Sequence, residues 1–390
     1  MANMIQNAKD SVNALLAAAC EKAAEKGQLP AGAVLTGTVE IPKDSANGDF
    51  AANHAMAGAR TLRLPPRKIA EALIENLDLE NSWFSSVETA GPGFINFRLS
   101  PIWYADVLSC VTREGGDYGR VDEGRGRKLM VEFVSANPTG PMHMGNARGG
   151  VLGDALASVM DRAGYQVWRE FYVNDAGNQI EKFAASIDAR YRQLLLGEDA
   201  VEFPADGYHG EDIKELAQAF LKENGDAYLD REVSERHTAM AAFGLERNIP
   251  RMQADLLRYG VKYDEWFFES SLHESGYVAE TMQELTDRGF TYEKDGALWL
   301  KTAQILGDNL RKAGKKQEEI DRLDLKDDVL RRANGFYTYF ASDIAYHRNK
   351  LEKRGFDVAI NVWGADHHGH VARLKGALDA LGLDGDKAHG

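Results

Sequence analysis

The residues with the clearest chemical potential lie between positions 132 and 146. Glu132 is a carboxylate inside an apolar run, residues 128–134, that has the pattern of a buried strand, and a buried carboxylate needs a partner. His143 and Asn146 stand where a helix is expected to begin, after a loop too rich in Gly and Pro to continue the strand. Open α/β sheets bind ligands at the carboxyl ends of their strands. We therefore expect a ligand-binding loop between Glu132 and Asn146.

A helix and a second strand must hold this loop in place. Gly164 is expected to end the helix, and residues 166–172 have the pattern of the next strand. The arrangement predicts a βαβ unit of an α/β fold. The helix has glycines on neighbouring turns, where small residues let a helix lie close on a sheet, namely Gly149, Gly150 and Gly153.

Two further groups of polar residues lie near the carboxyl-terminal end. Ser342 is expected to cap a helix and Asp343 to lie in its first turn, where a carboxylate complements the helix dipole, so a structural role alone would explain Asp343. A strand at residues 358–363 is followed by a loop that contains Asp366, His367, His368 and His370. This density invites a metal site, but the spacing fits no closed zinc site and no further cluster supports it. No protein-bound metal is expected.

The composition limits the class of protein. The chain has 390 residues, a formal net charge of -14 at pH 7, 44% hydrophobic residues and 27% charged residues. No apolar run approaches the ~18 residues that span a bilayer, so no membrane partner is expected. Cys20 and Cys110 have neither disulfide nor metal spacing, which predicts a cytoplasmic location. The negative charge argues against a surface coated uniformly for nucleic acid, although local basic patches could still serve.

A contiguous motif spans the loop and the helix start: Ala136, Asn137, Pro138, Thr139, Gly140, Pro141, Met142, His143, Met144, Gly145 and Asn146. With the preceding residues 131–135, it resembles the nucleotide-binding signature of class I aminoacyl-tRNA synthetases, in the form peculiar to arginyl-tRNA synthetases. Residues 174–179 support the resemblance. Asn146 departs from the family's His-Ile-Gly-His motif, in which a second His stands at this position. Asn can donate a hydrogen bond to phosphate but carries no charge.

The resemblance implies an ATP site and catalytic residues. His143 and Asn146 are expected to be catalytic by acting on phosphate oxygens, and Gly145 lies between them in the ATP site. Gly364 is expected to let the backbone approach adenosine, and Asp366 to bind the ribose hydroxyls.

The resemblance also implies an arginine site. A guanidinium is planar and permanently charged, and carboxylates hold it best in bidentate geometry. Glu132 and Asp343 are expected to supply two such carboxylates, with the ring of Tyr339 closing the pocket. Asn137 and His367 are expected to face the α-group of arginine.

The implied activity is that of an arginine–tRNA ligase. It activates L-arginine with ATP to arginyl-adenylate and transfers the arginine to tRNA(Arg), with Mg²⁺ accompanying ATP. A monomer is expected. Two alternatives remain open: an adenylyl-transferring enzyme of the same superfamily that acts on a small molecule, and a non-catalytic paralogue that binds tRNA or arginine.

The expected fold is α/β, a Rossmann-like class I synthetase catalytic domain with a mostly helical insertion and an N-terminal α/β add-on domain. Residues 1–112 form the add-on domain, which is expected to contact the outer corner of tRNA. Residues 113–198 and 329–390 form the two halves of the catalytic domain, the second incomplete, and residues 199–328 form the insertion. Because no Lys-Met-Ser-Lys-type sequence and no helical anticodon-binding domain are found, a truncated chain is expected.

Overall fold

The protein, described here from a computed structural model, divides into two units, one ending at Val121 and the other beginning at Asp122. The structure describes residues 3–364 and 368–390, without the side chain of His368. The predicted boundary at residue 112 falls within a helix that continues to Glu114, so the connection between the units comes later. None of the helices in the described residues combines the length and the apolar character needed to cross a membrane.

The first unit is an antiparallel sheet covered by helices. Its elements are α1 (Met4–Glu25), β1 (Val39–Glu40), β2 (Phe50–Ala52), α2 (His54–Leu62), α3 (Pro66–Asn76), β3 (Phe84–Ala90), β4 (Phe94–Leu99) and α4 (Pro101–Glu114). The strands are ordered β1-β2-β4-β3. Buried side chains of α1 and α3, such as Leu16 and Leu73, meet Phe97 of β4 in one apolar core.

The second unit contains a larger parallel sheet and a smaller antiparallel one. The strands are β5 (Lys128–Glu132), β6 (Gln166–Val173), β7 (Glu265–Phe268), β8 (Thr291–Lys294), β9 (Ala297–Leu300), β10 (Asp328–Arg331), β11 (Val358–Asn361) and β12 (Ala388–His389). The parallel sheet has the order β12-β11-β5-β6-β7, and the antiparallel sheet has the order β10-β9-β8. The predicted βαβ unit is present, with β5 and β6 paired side by side.

Helices connect these strands. They are α5 (Met144–Arg162), α6 (Asn178–Leu196), α7 (Glu211–Asn224), α8 (Val233–Arg258), α9 (Glu269–Glu274), α10 (Tyr277–Asp287), α11 (Thr302–Lys312), α12 (Gln317–Asp321), α13 (Tyr339–Arg348) and α14 (His368–Ala380). The predicted insertion, residues 199–328, needs correction because β7 lies inside it and forms the edge of the parallel sheet. A strand of four residues gives little periodicity to recognise.

The predicted close approach of α5 to the sheet depends on one glycine. A Cβ added at Gly153 would lie 2.1 Å from Cγ of Phe133, whereas one added at Gly149 would meet no atom within 4 Å. At Gly150 the nearest atom, in the side chain of Val134, would be 3.6 Å away, which is ordinary contact. Gly153 alone of the three therefore sets the distance between α5 and β5.

A row of polar residues crosses the parallel sheet at one level. Asn361 of β11 pairs in register with Glu132 of β5, which pairs with Glu170 of β6, which pairs with Glu265 of β7. Side chains at the same level of adjacent parallel strands lie on the same face. Glu132 and Glu170 are buried, so this face of the sheet needs compensating cations.

Two cations from one short segment compensate the row. The π-helical turn Asn349–Lys353 follows α13 and supplies Lys350, whose Nζ lies 2.6 Å from Oε2 of Glu132. Arg354 comes directly after this turn and donates to Glu170 from Nη1 at 2.9 Å. A π-helical turn widens the helix locally, and here the turn and the residue that follows it bring both cations to the sheet.

Candidate functional site

The chain leaves β5 through a left-handed turn. Val134 and Ser135 have φ values of 69° and 41°, so the strand ends at Glu132 rather than at the predicted residue 134. Such a conformation costs on the order of 1–3 kcal/mol for a β-branched residue and persists only where contacts over-determine it. Here Ser135 Oγ donates to Glu132 Oε1 at 2.9 Å and accepts from the N–H of Tyr172 at 3.2 Å. These two bonds hold the turn.

Residues 135–143, which we call the signature loop, end at a capped helix. The N–H of Gly145 donates to Nδ1 of His143 at 3.1 Å, and the N–H of His143 donates to Oδ1 of Asn146 at 3.0 Å. Each side chain satisfies a backbone donor that the helix leaves free. A neutral His143 then carries its proton on Nε2, and Asn146 keeps its NH₂ group for a ligand. Asn146 therefore preserves the helix start although it lacks an imidazole.

A cleft of about 550 Å³, which we call the loop cleft, lies beside the signature loop. The motif residues that line it are Ala136, Asn137, Thr139, Gly140, Pro141, Met142, His143 and Asn146. Its other wall, which the sequence reasoning missed, comes from Tyr208, His209, Gly210 and Asp212. Tyr208 is held firmly, because its N–H donates to Ser186 Oγ at 2.8 Å and its hydroxyl to Gln179 Oε1 at 2.5 Å.

The remaining motif residues lie outside the loop cleft. The carbonyl of Pro138 accepts a hydrogen bond at 2.9 Å from Nδ2 of Asn248, a buried residue of α8. Met144 is exposed, and Gly145 acts through its backbone N–H as described above. The helix α8 thus fixes the middle of the signature loop.

A second cleft, of about 470 Å³, lies at the carboxyl ends of the parallel strands, and we call it the carboxylate cleft. Of the predicted site residues, the structure brings Glu132, Tyr339, Asp343 and Gly364 together in its wall. Ser135 lines both clefts, so the two adjoin at the left-handed turn. The predicted residues Asp366 and His367 lie outside the described residues.

Asp343 lies deeper in its helix than predicted. Thr338, not Ser342, caps α13, with its Oγ1 accepting from the N–H of Ala341 at 3.4 Å, and Asp343 is therefore in the second turn. Its carboxylate contacts His347, whose Nδ1 is 3.0 Å from Oδ1, and also Nε2 of His370. Burial opposes ionisation of Asp343, but these two histidines outweigh it and hold the pKa of the carboxyl below its usual range.

Glu132 has an internal partner that the sequence reasoning missed. Lys350 is fully buried and forms an ion pair with Glu132 at 2.6 Å, and the expectation that Glu132 also helps to hold a guanidinium stays a prediction. The second oxygen of Glu132 accepts from Ser135. Lys350 was hidden from sequence reasoning because 218 positions separate it from Glu132.

Glu269 is a further carboxylate in the wall of the carboxylate cleft. It is 4% exposed and directly follows β7, in the place where a parallel strand presents ligand-binding residues. Burial, and then the charges of Glu269, Asp343 and Glu132, raise the pKa of the Tyr172 hydroxyl well above its usual range. The cleft is therefore an environment of negative potential, which suits a cationic ligand.

Two family models match this chain. The model described as "Arginyl tRNA synthetase N terminal domain" matches residues 10–99, and the one described as "tRNA synthetases class I (R), catalytic domain" matches residues 109–388. The chain belongs to the arginyl-tRNA synthetase family. The family and the class I catalytic fold with an N-terminal add-on domain, both expected from the sequence, are confirmed.

Individual relatives agree with the family assignment. The arginine–tRNA ligase of Acetivibrio thermocellus is 52% identical over 387 residues, which cover 99% of this chain and 66% of the relative. That of Caldanaerobacter subterraneus is 51% identical over 384 residues, which cover 98% of this chain and 65% of the relative. This chain thus spans slightly under two thirds of the length of these arginyl-tRNA synthetase relatives.

Solved structures of the family have the same fold. A Campylobacter jejuni protein assigned as an arginyl-tRNA synthetase aligns with a TM-score of 0.64 and 32% identity, covering 75% of this chain and 59% of that one. The Thermus thermophilus arginyl-tRNA synthetase aligns with a TM-score of 0.56 and 22% identity, covering 98% of this chain and 64% of that one. The second similarity concerns the fold alone.

Proposed function

We propose that this chain binds L-arginine and ATP as part of an arginine–tRNA ligase. The observation that carries the proposal is the pair of adjoining clefts at the carboxyl ends of the parallel strands. One cleft is rich in carboxylates, and the other is lined by the signature loop and a helix N-terminus, the kind of place where proteins bind phosphates.

In this proposal the carboxylate cleft takes the guanidinium of arginine. Asp343 and Glu269 are its carboxylates, Tyr339 covers it, and Glu132 contributes to the wall while remaining paired with Lys350. A neutral urea in place of the guanidinium carries no charge for the negative potential of the cleft to attract, so citrulline should bind far more weakly than arginine.

The loop cleft takes the triphosphate of ATP. The carboxylate of arginine attacks the α-phosphorus, a new P–O bond forms, the bond to the β-phosphate oxygen breaks, and pyrophosphate leaves. His143 Nε2–H and the NH₂ group of Asn146 are the donors available to phosphate oxygens whose negative charge grows during this step. Mg²⁺ enters with ATP on its phosphates. The adenosine would lie against Gly364, with Asp366 on the ribose, and Asn137 and His367 would face the α-group of arginine.

The names of the relatives, arginine–tRNA ligases, support a tRNA partner. We propose that the first unit contacts the outer corner of tRNA(Arg), that the protein acts in the cytoplasm as a monomer, and that arginine is transferred to the terminal ribose. We also propose that residues 1–390 alone do not complete this transfer, because they contain no Lys-Met-Ser-Lys-type sequence to supply a lysine to the departing pyrophosphate.

The test combines binding and charging assays on the 390-residue chain. Calorimetry should show arginine binding that citrulline does not reproduce, and aminoacylation of tRNA(Arg) should be far slower than by the full-length Acetivibrio thermocellus relative under the same conditions. Equal affinity for citrulline and arginine would refute the assignment of the carboxylate cleft. Charging at a rate comparable to that of the relative would refute the statement about transfer.

A further inference from the structure

Among the described residues of the second unit, Lys350 is the most deeply buried lysine or arginine. Its side chain is fully buried, its Nζ donates to Glu132 Oε2 at 2.6 Å and to Asn361 Oδ1 at 2.7 Å, and it lies 4.0 Å from the ring centroid of Tyr346. Lys350 is not among the described residues that line either cleft. Any effect it has on a ligand must therefore pass through its partners.

Those partners lead directly to the point where the clefts adjoin. Glu132 binds Lys350 through one oxygen and accepts from Ser135 Oγ through the other, at 2.9 Å. Ser135 Oγ in turn accepts from the N–H of Tyr172 at 3.2 Å. A continuous chain of hydrogen bonds thus connects the ammonium of Lys350 to Ser135, the residue that both clefts share.

The turn at the end of this chain needs external support. Val134 and Ser135 have positive φ values, and the bond from Ser135 to Glu132 is one of the contacts that oppose relaxation of the turn. Glu132 can accept in this fixed orientation because its other oxygen is held by Lys350, which also donates to Asn361. Without the cation, a buried carboxylate would be left unpaired and would have to reorient or be neutralised.

We propose that Lys350 is a positioning residue for arginine binding, and that it acts through Glu132 on the left-handed turn at Val134 and Ser135. This inference rests on the proposed function, since it concerns the same cleft. A buried ion pair gives little net stability compared with apolar residues of the same shape. The value of this pair therefore lies in the geometry that it imposes on the turn.

A matched pair of variants separates positioning from stability. Lys350→Met breaks the pair beneath the cleft. Arg236→Met breaks a second buried ion pair, with Asp188, in which the bond is 2.7 Å long. This pair joins α6 and α8, and neither residue is among the described residues that line the two clefts. Both variants should lower the melting temperature of the 390-residue chain by roughly 6–12 °C. Calorimetric titration with L-arginine should show affinity reduced about tenfold or more in Lys350→Met and unchanged in Arg236→Met.

A double-mutant cycle tests the route through Glu132. If Lys350 acts through Glu132, the double variant Lys350→Met/Glu132→Gln should bind arginine no more weakly than Glu132→Gln alone. The double variant also leaves no unpaired buried charge, so it remains informative should Lys350→Met fail to fold. A further tenfold loss in the double variant would overturn the proposal, because Lys350 would then act by another route.

The outcomes also distinguish this inference from the proposed function. Wild-type protein that binds no arginine refutes the proposed function and the inference with it. Wild-type protein that binds arginine, together with a folded Lys350→Met variant of unchanged affinity, refutes the inference alone.

Discussion

Alanine substitutions at two glycines of α5 should have opposite effects on stability. Gly149 and Gly153 lie in the same helix, but a Cβ at position 149 meets no atom within 4 Å, whereas one at position 153 lies 2.1, 2.4 and 2.5 Å from three atoms of Phe133. Gly149→Ala should stabilise the protein by about 0.5–1 kcal/mol, because alanine has the higher helix propensity.

Gly153→Ala gains the same propensity but must displace its neighbour. Carbon atoms pack at about 3.5–4.0 Å, so Phe133 or the helix has to move by more than ~1 Å. The atoms concerned lie at the base of the ring and include its Cβ, which cannot swing away without a backbone shift. Overpacking of a buried site costs about 1–3 kcal/mol, and the severe overlap here places Gly153→Ala at the upper end. After the helix gain of about 0.5–1 kcal/mol we expect a net loss of about 2 kcal/mol.

Urea unfolding followed by circular dichroism measures both changes. The two variants should differ by about 3 kcal/mol in the free energy of unfolding, or roughly 6–12 °C in melting temperature. Gly153→Ala should also weaken arginine binding, because Phe133 directly precedes the left-handed turn. If Gly153→Ala were as stable as Gly149→Ala, α5 would not lie at the distance from β5 that we describe.

Three further predictions concern the clefts. His143→Ala should slow arginine-dependent pyrophosphate exchange by ~100 to 1,000-fold and cost about 1 kcal/mol of stability, whereas His143→Asn should restore the helix cap but not the rate. The exchange is measured in a full-length relative that carries the same changes. Equal rates in both variants and wild type would exclude His143 from catalysis. Asn248→Ala should leave the Pro138 carbonyl unpaired, lower the free energy of unfolding by about 1–3 kcal/mol and weaken ATP binding in calorimetry. An unchanged ATP affinity would mean that α8 does not position the signature loop. Because the pKa of Asp343 is lowered on folding, its carboxylate stabilises the protein above about pH 4, and this contribution is lost as the pH falls further. The free energy of unfolding of Asp343→Asn should therefore fall less steeply in acid than that of the wild type. Parallel plots of the free energy of unfolding against pH would contradict that pKa shift.

The parts of the fold that the sequence predicted are those with local signals. The run of turn formers before His143 located the signature loop, and the apolar strands on both sides of α5 located the βαβ unit. The short strand β7 was missed because its four residues, Glu265–Phe268, are too few to show periodicity.

The parts of the site that the sequence could not predict depend on contacts between distant positions. Glu132 was recognised as a buried carboxylate, but nothing local indicates that Lys350 is its partner. Likewise, nothing local indicates that His370 contacts Asp343 across 27 positions. Sequence reasoning identifies which side chains need partners, and the fold decides which partners they receive.

The polar row across the parallel sheet also has a consequence for folding. Strands of continuous apolar residues can slide past one another with little penalty, because each register buries similar side chains. Glu132 and Glu170 remove that freedom, since only the native alignment brings both to the cations of one segment. These partners lie 218 and 184 positions away along the chain. The ion pairs that favour the native alignment of the central strands can therefore form only after Lys350 and Arg354 have been synthesised and have docked. A fragment that ends before Asn349 would have to leave two carboxylates without these partners inside its sheet.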